Sequence, residues 1–193
     1  MFALQPCDLV FVRHAPADTG GRLCGRRDVP ALLDDTAALA RLSQALGTAR
    51  QVVSSPAQRC VQTARRVLPD HPLGEDARLW EQDFGDHDGM PLAALPDLGP
   101  LSRANLSRYA APNGESFAAM VGRVRPALDE LALRTVQDGP VVVFAHAGTA
   151  RAALSCALDD ESAGLAFEIA PLSMTVLRCF SGGVSVAVVN REP

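Results

Sequence analysis

The sequence predicts a three-layer α/β/α fold around a mostly parallel mixed sheet of about six strands, one of them antiparallel. Three observations carry that expectation. Short apolar runs alternate with stretches of helical period along the chain. Two of the runs, Leu9-Val10-Phe11-Val12 and Val141-Val142-Val143-Phe144, are apolar throughout, as strands covered on both faces are. The last two runs, residues 172–179 and 184–189, are joined by Ser181-Gly182-Gly183, a hairpin that turns one strand against its neighbours.

The elements follow in order. A first strand covers about residues 8–13, and a Gly-rich loop runs from 19 to 30. Leu32, Leu39, Leu42 and Leu46 place one apolar stripe on a helix over 31–47, with Gly47 as its stop. The second strand is about 51–54. Ser55 is expected to cap the next helix and Pro56 to open it, so that it runs over about 56–67 with Arg59 in its first turn. A short strand is expected over 77–79. Residues 80–114 are rich in Pro and Gly and read as loop with short helical pieces, a small cap inserted in a single domain of residues 1–193. A long helix then reaches about 136, broken or kinked at Pro126. The fourth long apolar run is a strand over 140–145, followed by a helix over 148–158 and the closing hairpin.

Charge and cysteines exclude several classes. The net charge of −4 gives no overall attraction to nucleic acid or to an anionic membrane. All 18 basic residues are arginine, which removes lysine Schiff bases and a Walker-type phosphate loop. The five cysteines, Cys7, Cys24, Cys60, Cys156 and Cys179, have no metal-ligand or disulfide-framework spacing. Reduced thiols in a cytoplasmic protein are the expectation, with no metal and no cofactor. No basic segment followed by an apolar stretch marks a signal peptide at the start, and no apolar run reaches the ~20 residues that span a bilayer. The closing hairpin leaves a sheet edge that can support a homodimer.

The candidate site comes from the strand ends. There are only four histidines, and two of them, His14 and His146, directly follow apolar runs. In an open α/β sheet, ligands bind beyond the carboxyl ends of the strands. Arg13 beside His14, and Arg59 after the second strand, would bring two permanent cations and two imidazoles to one anion-binding pocket. Backbone N–H groups at the helix start near Gly148 point the same way and favour anions. Taken alone, Glu81 reads as a loop carboxylate and Arg59 as a solvated helix residue. Arg26 and Asp28 divide evenly between a substrate loop and turn chemistry. His71 and His87 read as surface residues and Cys24 as inert.

Four segments in order then resemble the histidine phosphatase superfamily, the phosphoglycerate mutase-like proteins. They are Arg13-His14-Ala15, Ser54-Ser55-Pro56-Ala57-Gln58-Arg59-Cys60-Val61-Gln62-Thr63-Ala64, Leu79-Trp80-Glu81-Gln82-Asp83-Phe84-Gly85 and His146-Ala147-Gly148. Gly25-Arg26-Arg27-Asp28-Val29-Pro30 looks most like the α-ribazole phosphatase branch of cobalamin biosynthesis. The resemblance implies a catalytic set of His14 as nucleophile, Glu81 as proton donor and His146, which would carry a proton in the complex. It implies phosphoryl binding by Arg13, Arg59 and His146, with Arg26 and Gly148 as further substrate contacts. A small phosphorylated metabolite is the implied partner, and one of Trp80, Phe84, Tyr109 and Phe117 could stack on its ring. A broad-specificity phosphatase, a phosphoglycerate mutase and a non-enzymatic phosphate binder are the alternatives. The chain departs from the family pattern where Ala15-Pro16-Ala17 replaces Gly-Glu-Thr, at Gly20, and at Asp86-His87-Asp88-Gly89.

A neutral imidazole suits this chemistry, because it is nucleophilic near pH 7 and is not repelled by a phosphate dianion. One ring nitrogen must be unprotonated, so the other N–H needs an acceptor. Nothing in the sequence identifies that acceptor.

Overall fold

A computed structural model describes residues 3–193. Its single six-stranded sheet is ordered β3-β2-β4-β1-β5-β6. The strands are β1 (Asp8–Arg13), β2 (Gln51–Ser54), β3 (Leu73–Glu75), β4 (Val141–Ala145), β5 (Met174–Phe180) and β6 (Gly183–Arg191). β3, β2, β4 and β1 run parallel, and only β5 runs against the rest. The α-helices are α1 (Thr36–Leu46), α2 (Gln58–Val67), α3 (Arg103–Arg108), α4 (Phe117–Asp138) and α5 (Ala147–Ala157).

Alternation along the strands builds two cores. Leu9, Phe11, Val141 and Val143 face α4 and α5, through Met120, Val124, Leu128 and Leu154. Val10, Val12, Val142 and Phe144 face α1 and α2, through Leu39, Leu42, Leu46 and Val67. An apolar strand is therefore buried on both sides, which is why its sequence shows no alternation. Each fully buried Leu or Phe in these layers contributes about 1.5–3 kcal/mol relative to an exposed one. Among the described residues no helix is long and apolar enough to cross a membrane.

Four expectations are corrected. Residues 77–79 form a 3₁₀ turn rather than a strand, because the Asp76 carboxylate accepts from the Arg78 N–H at 2.8 Å and bends the chain. The third strand is instead Leu73–Glu75, an edge strand held by backbone pairing to β2 with little apolar signal of its own. The first helix begins at Thr36, not 31, because Asp35 caps it at Ala38 N (2.9 Å), and Leu32 before it is 44% exposed. The second helix begins at Gln58, with Ala57 at the cap position and no capping side chain of its own. Finally, of the break or kink expected at Pro126, the break does not occur: α4 runs continuously from Phe117 to Asp138. Proline removes one backbone bond there, but the helix buries Val121, Val124, Ala127, Leu128 and Leu131, and that packing outweighs the loss.

Candidate active site

β4 lies between β2 and β1, so three parallel strands deliver their carboxyl ends side by side. Backbone bonds continue the pairing one step past the strands: His14 N–H to Ala145 O and Ser55 N–H to Phe144 O, each 2.9 Å. This places Arg13-His14, Ser55 and His146 along one edge. The His14 and His146 rings meet edge-on with centroids 5.3 Å apart.

The acceptor that fixes the His14 tautomer is the carbonyl of the next residue. His14 Nδ1 lies 2.6 Å from Ala15 O and donates to it. Nε2 therefore carries the lone pair, and Arg59 Nε–H donates to it at 3.3 Å. Burial, reinforced by Arg59 and Arg13, pulls the His14 pKa down to about 3. The ring is a neutral base and nucleophile throughout the physiological range. Thr63 fixes the frame around it. Its hydroxyl accepts from Ala15 N–H (3.0 Å) and donates to Arg59 O (2.7 Å), which locks α2 to the loop after β1.

Arg59 is 1% exposed, although helix arginines are usually solvated. Its guanidinium donates to Gly25 O (2.8 Å), Arg27 O (3.1 Å) and His146 Nδ1 (3.2 Å). Since Nδ1 accepts, His146 Nε2 is the protonated nitrogen, and it donates to Ser55 Oγ at 2.9 Å. Ser55 Oγ also accepts from Ala57 N–H at 3.4 Å, so it serves His146 as well as the turn that leads into α2, whose cap position is Ala57. Burial, then the charges of its neighbours, hold His146 well below the usual histidine range. With these neighbours alone the ring is neutral, so an imidazolium at this position requires the proton affinity that a phosphate dianion would add.

Arg13 anchors through Nη1 to Ile169 O, while its Nε is buried without a partner. Glu81 reaches the site from the loop after the 77–79 turn. Its carboxylate accepts from Gln82 N–H (3.0 Å) and Gly148 N–H (3.2 Å). Gly148 N–H therefore holds the Glu81 carboxylate, whereas the sequence reading directed it at a bound anion. A Cβ at Gly148 would lie 2.0 Å from Glu81 Oε1, which explains the glycine.

Arg26 sits at the rim, its side chain 35% exposed, 3.9 Å from Glu115 and 5.6 Å above the Trp80 ring. Trp80 in turn lies parallel to His146, 12° between planes and 6.2 Å between centroids. Asp88 holds the Arg26 loop by accepting from the N–H groups of Gly25, Arg26 and Arg27 at 2.8–2.9 Å. Asp28 takes the turn role: it caps α2 by accepting from Gln58 N–H at 2.8 Å. Phe117 is a core residue, 3% exposed. Phe84 backs Gly25, where a Cβ would come 2.7 Å from the Phe84 ring. Cys60 packs 3.6 Å from His146 Nε2, and burial pushes its thiol up.

The structure thus gathers His14, Arg13, Arg59, His146 and Glu81, with Arg26 at the edge. Sequence reading missed Ser55 as a histidine partner, Thr63, Asp88, Glu115 and Arg123. Thr63 had a signal, since it lies one turn after Arg59 on the same helix face. A groove of about 630 Å³ between α4, α5 and the β5–β6 turn contains none of the five central residues.

Two results are expected from this geometry. In NMR titration the His14 and His146 rings should keep neutral-form shifts from about pH 8 to about pH 5, where a free imidazole would charge. Titration of either ring near the ordinary histidine value of about 6.5 would contradict the geometry. The unfolded chain binds these protons below about 6.5 and the folded chain does not, so their linkage lowers stability as pH falls from 6.5 towards about 3. Gly148→Ala should displace the Glu81 carboxylate, since a Cβ there would lie 2.0 Å from Glu81 Oε1. Loss of the Gly148 amide's hydrogen-bonded chemical shift, in a protein with an unchanged circular dichroism spectrum, checks this.

Comparison with known proteins follows the geometry. The pattern of the histidine phosphatase superfamily (branch 1) matches residues 9–192. No curated protein matches the chain. A mycobacterial glucosyl-3-phosphoglycerate phosphatase, solved as a complex with VO₃, superimposes with a TM-score of 0.83 at 26% identity, covering 95% of this chain and 98% of the other. The structure called mycobacterial hydrolase 1 gives 0.85 at 24% identity, with 98% and 100% covered. The α-ribazole phosphatase of Shigella flexneri gives 0.81 at 19% identity, with 96% of each chain covered, a likeness of fold.

Proposed function

The chain belongs to the histidine phosphatase superfamily (branch 1), and on that premise we propose that it is a phosphomonoesterase working through a phosphohistidine on His14. The observation that carries this reading is the His14 tautomer: Nδ1–H tied to Ala15 O and a bare Nε2 beside Arg59. Nε2 attacks phosphorus as the ester P–O bond breaks, and the leaving oxygen takes a proton from Glu81. Water then attacks phosphorus as the P–N bond breaks, its proton passes to Glu81, and the electron pair returns to Nε2. The transition states are loose, with charge on three equatorial oxygens. Arg59 and Arg13 with its unpartnered Nε supply donors for those oxygens, and His146 adds one once the bound dianion has raised its proton affinity.

Such a site neutralises phosphate with guanidinium groups and needs no metal. Turnover of p-nitrophenyl phosphate should persist in excess EDTA, and activity restored only by magnesium or zinc would overturn that. Any turnover also removes the reading as a phosphate-binding protein without activity. The free thiols fit a cytoplasmic enzyme.

For the substrate, the resemblance of the Gly25–Pro30 segment to the α-ribazole phosphatase branch supports α-ribazole 5′-phosphate or a related cobamide precursor, and that loop is bonded directly to Arg59. A broad-specificity phosphatase acting on small sugar or nucleotide esters is the second reading. It is favoured because Trp80 already faces His146 and Arg26, and Phe117 lies in the core, so neither offers a face to a base. The name of the glucosyl-3-phosphoglycerate phosphatase neighbour adds phosphoglycerate esters to the candidates. The test is a panel of kcat/KM values for α-ribazole phosphate, phosphoglycerates, sugar phosphates and nucleotides. A preference for α-ribazole phosphate above about tenfold supports the specific reading, and less than that supports the generalist.

A further inference from the structure

We propose that Arg123 and Glu115 form a clasp that positions Glu81 for proton transfer. The proposal rests on the phosphatase reading with Glu81 as its acid, and it assigns a role to two residues outside the convergent strand ends.

Glu81 lies on a segment with no regular secondary structure of its own, between the 3₁₀ turn at Ala77–Leu79 and the next at Gly85–His87. No ladder fixes its backbone. One guanidinium does so instead. From α4, Arg123 Nη1 donates to Arg78 O (2.7 Å) and Trp80 O (3.2 Å), and Nη2 donates to Glu81 O (3.3 Å). The Arg123 fork is itself held by the Glu115 carboxylate, Nε to Oε2 at 3.1 Å and Nη2 to Oε1.

Glu115 grips the other side of Glu81. Its Oε1 accepts from Asp83 N–H (3.0 Å), its carbonyl accepts from the Gln82 side-chain amide (2.9 Å), and its N–H donates to Asp83 O (2.9 Å). Residues 78–80 and 82–83 are therefore fixed from the same ion pair, with Glu81 between them. The pair is mostly buried, at 22% and 19% side-chain exposure, where charge-assisted bonds are stronger than at the surface. Arginine suits the task because its rigid planar fork can donate to several carbonyls and a carboxylate at once, which a lysine point charge cannot. The N–H groups of Gln82 and Gly148 then fix the two oxygens of the Glu81 carboxylate.

A clasp that merely stabilised the loop would affect all substrates alike. One that aims the acid affects those whose leaving groups need a proton. The experiment compares Arg123→Met and Glu115→Gln with the unchanged enzyme, using glycerol 3-phosphate and p-nitrophenyl phosphate in single-turnover phosphorylation. The loss should be at least roughly tenfold larger for the alkyl ester, a part of the usual acid contribution. In the Glu81→Gln background, Arg123→Met should add none of that difference, since both act through one group. Equal losses on the two esters, or full additivity with Glu81→Gln, would overturn the clasp. Glu115→Gln keeps the shape of the side chain and carries the test if Arg123→Met does not fold. If Glu81→Gln itself shows no leaving-group dependence, the acid assignment fails and the clasp with it. If Glu81→Gln shows it and both clasp variants do not, only the clasp fails.

Discussion

His14→Ala should lower turnover by more than about 10³-fold and abolish phosphoenzyme formation, with the fold intact. Every step of the proposed reaction forms or breaks a bond at His14 Nε2. Losing the ring removes its bond to the adjacent Ala15 carbonyl and the bond it accepts from Arg59 Nε. Arg59 keeps Gly25 O, Arg27 O and His146, and the strand pairing runs through the His14 backbone N–H, which alanine retains. Rapid quench of the unchanged enzyme should trap a phosphoryl group that is stable in base and labile in acid, and the variant should trap none. A correctly folded His14→Ala protein with near-normal turnover would end the phosphohistidine reading, as would net inversion at phosphorus.

Glu81→Gln should slow alkyl phosphates by about 10²–10⁴-fold, the usual contribution of a positioned acid, and p-nitrophenyl phosphate far less. Nitrophenolate departs unprotonated, whereas an alkoxide does not. Glutamine nearly matches glutamate in shape and keeps one of the two acceptors, for either Gln82 N–H or Gly148 N–H, while Arg123 and Glu115 still hold the backbone on both sides, so the loop should stay in place. Single-turnover rates for both esters measure the effect. Equal damage to both would make Glu81 a structural carboxylate.

The parts of this protein legible in its sequence are those set by contiguous residues. Leu9–Val12 and Val141–Phe144 announce buried strands because each run alone carries the whole apolar signal. With the strands placed, the strand-end rule locates Arg13, His14, Arg59 and His146, and the four motif segments add Glu81. The failures have a common cause. Ser55 looked like a helix cap because that is what Ser-Ser-Pro does locally, yet its hydroxyl faces a histidine 91 residues away. Asp28 caps α2 from 30 residues upstream, so no capping signal stood beside the helix. β3 was missed because an edge strand needs only backbone pairing, which leaves no pattern in Leu73-Gly74-Glu75.

The sequence by itself determined the layered α/β fold and the identities of the groups that meet at its strand ends. Apolar periodicity and burial act over neighbouring residues and are written along the chain. The tertiary structure alone decided the protonation and aim of those groups. Arg59 meets His14 across 45 residues, Gly148 meets Glu81 across 67, and burial then strips both histidines of their charge. Such contacts exist only once the sheet has assembled, because partner and dielectric are properties of the packed site and not of any segment that enters it.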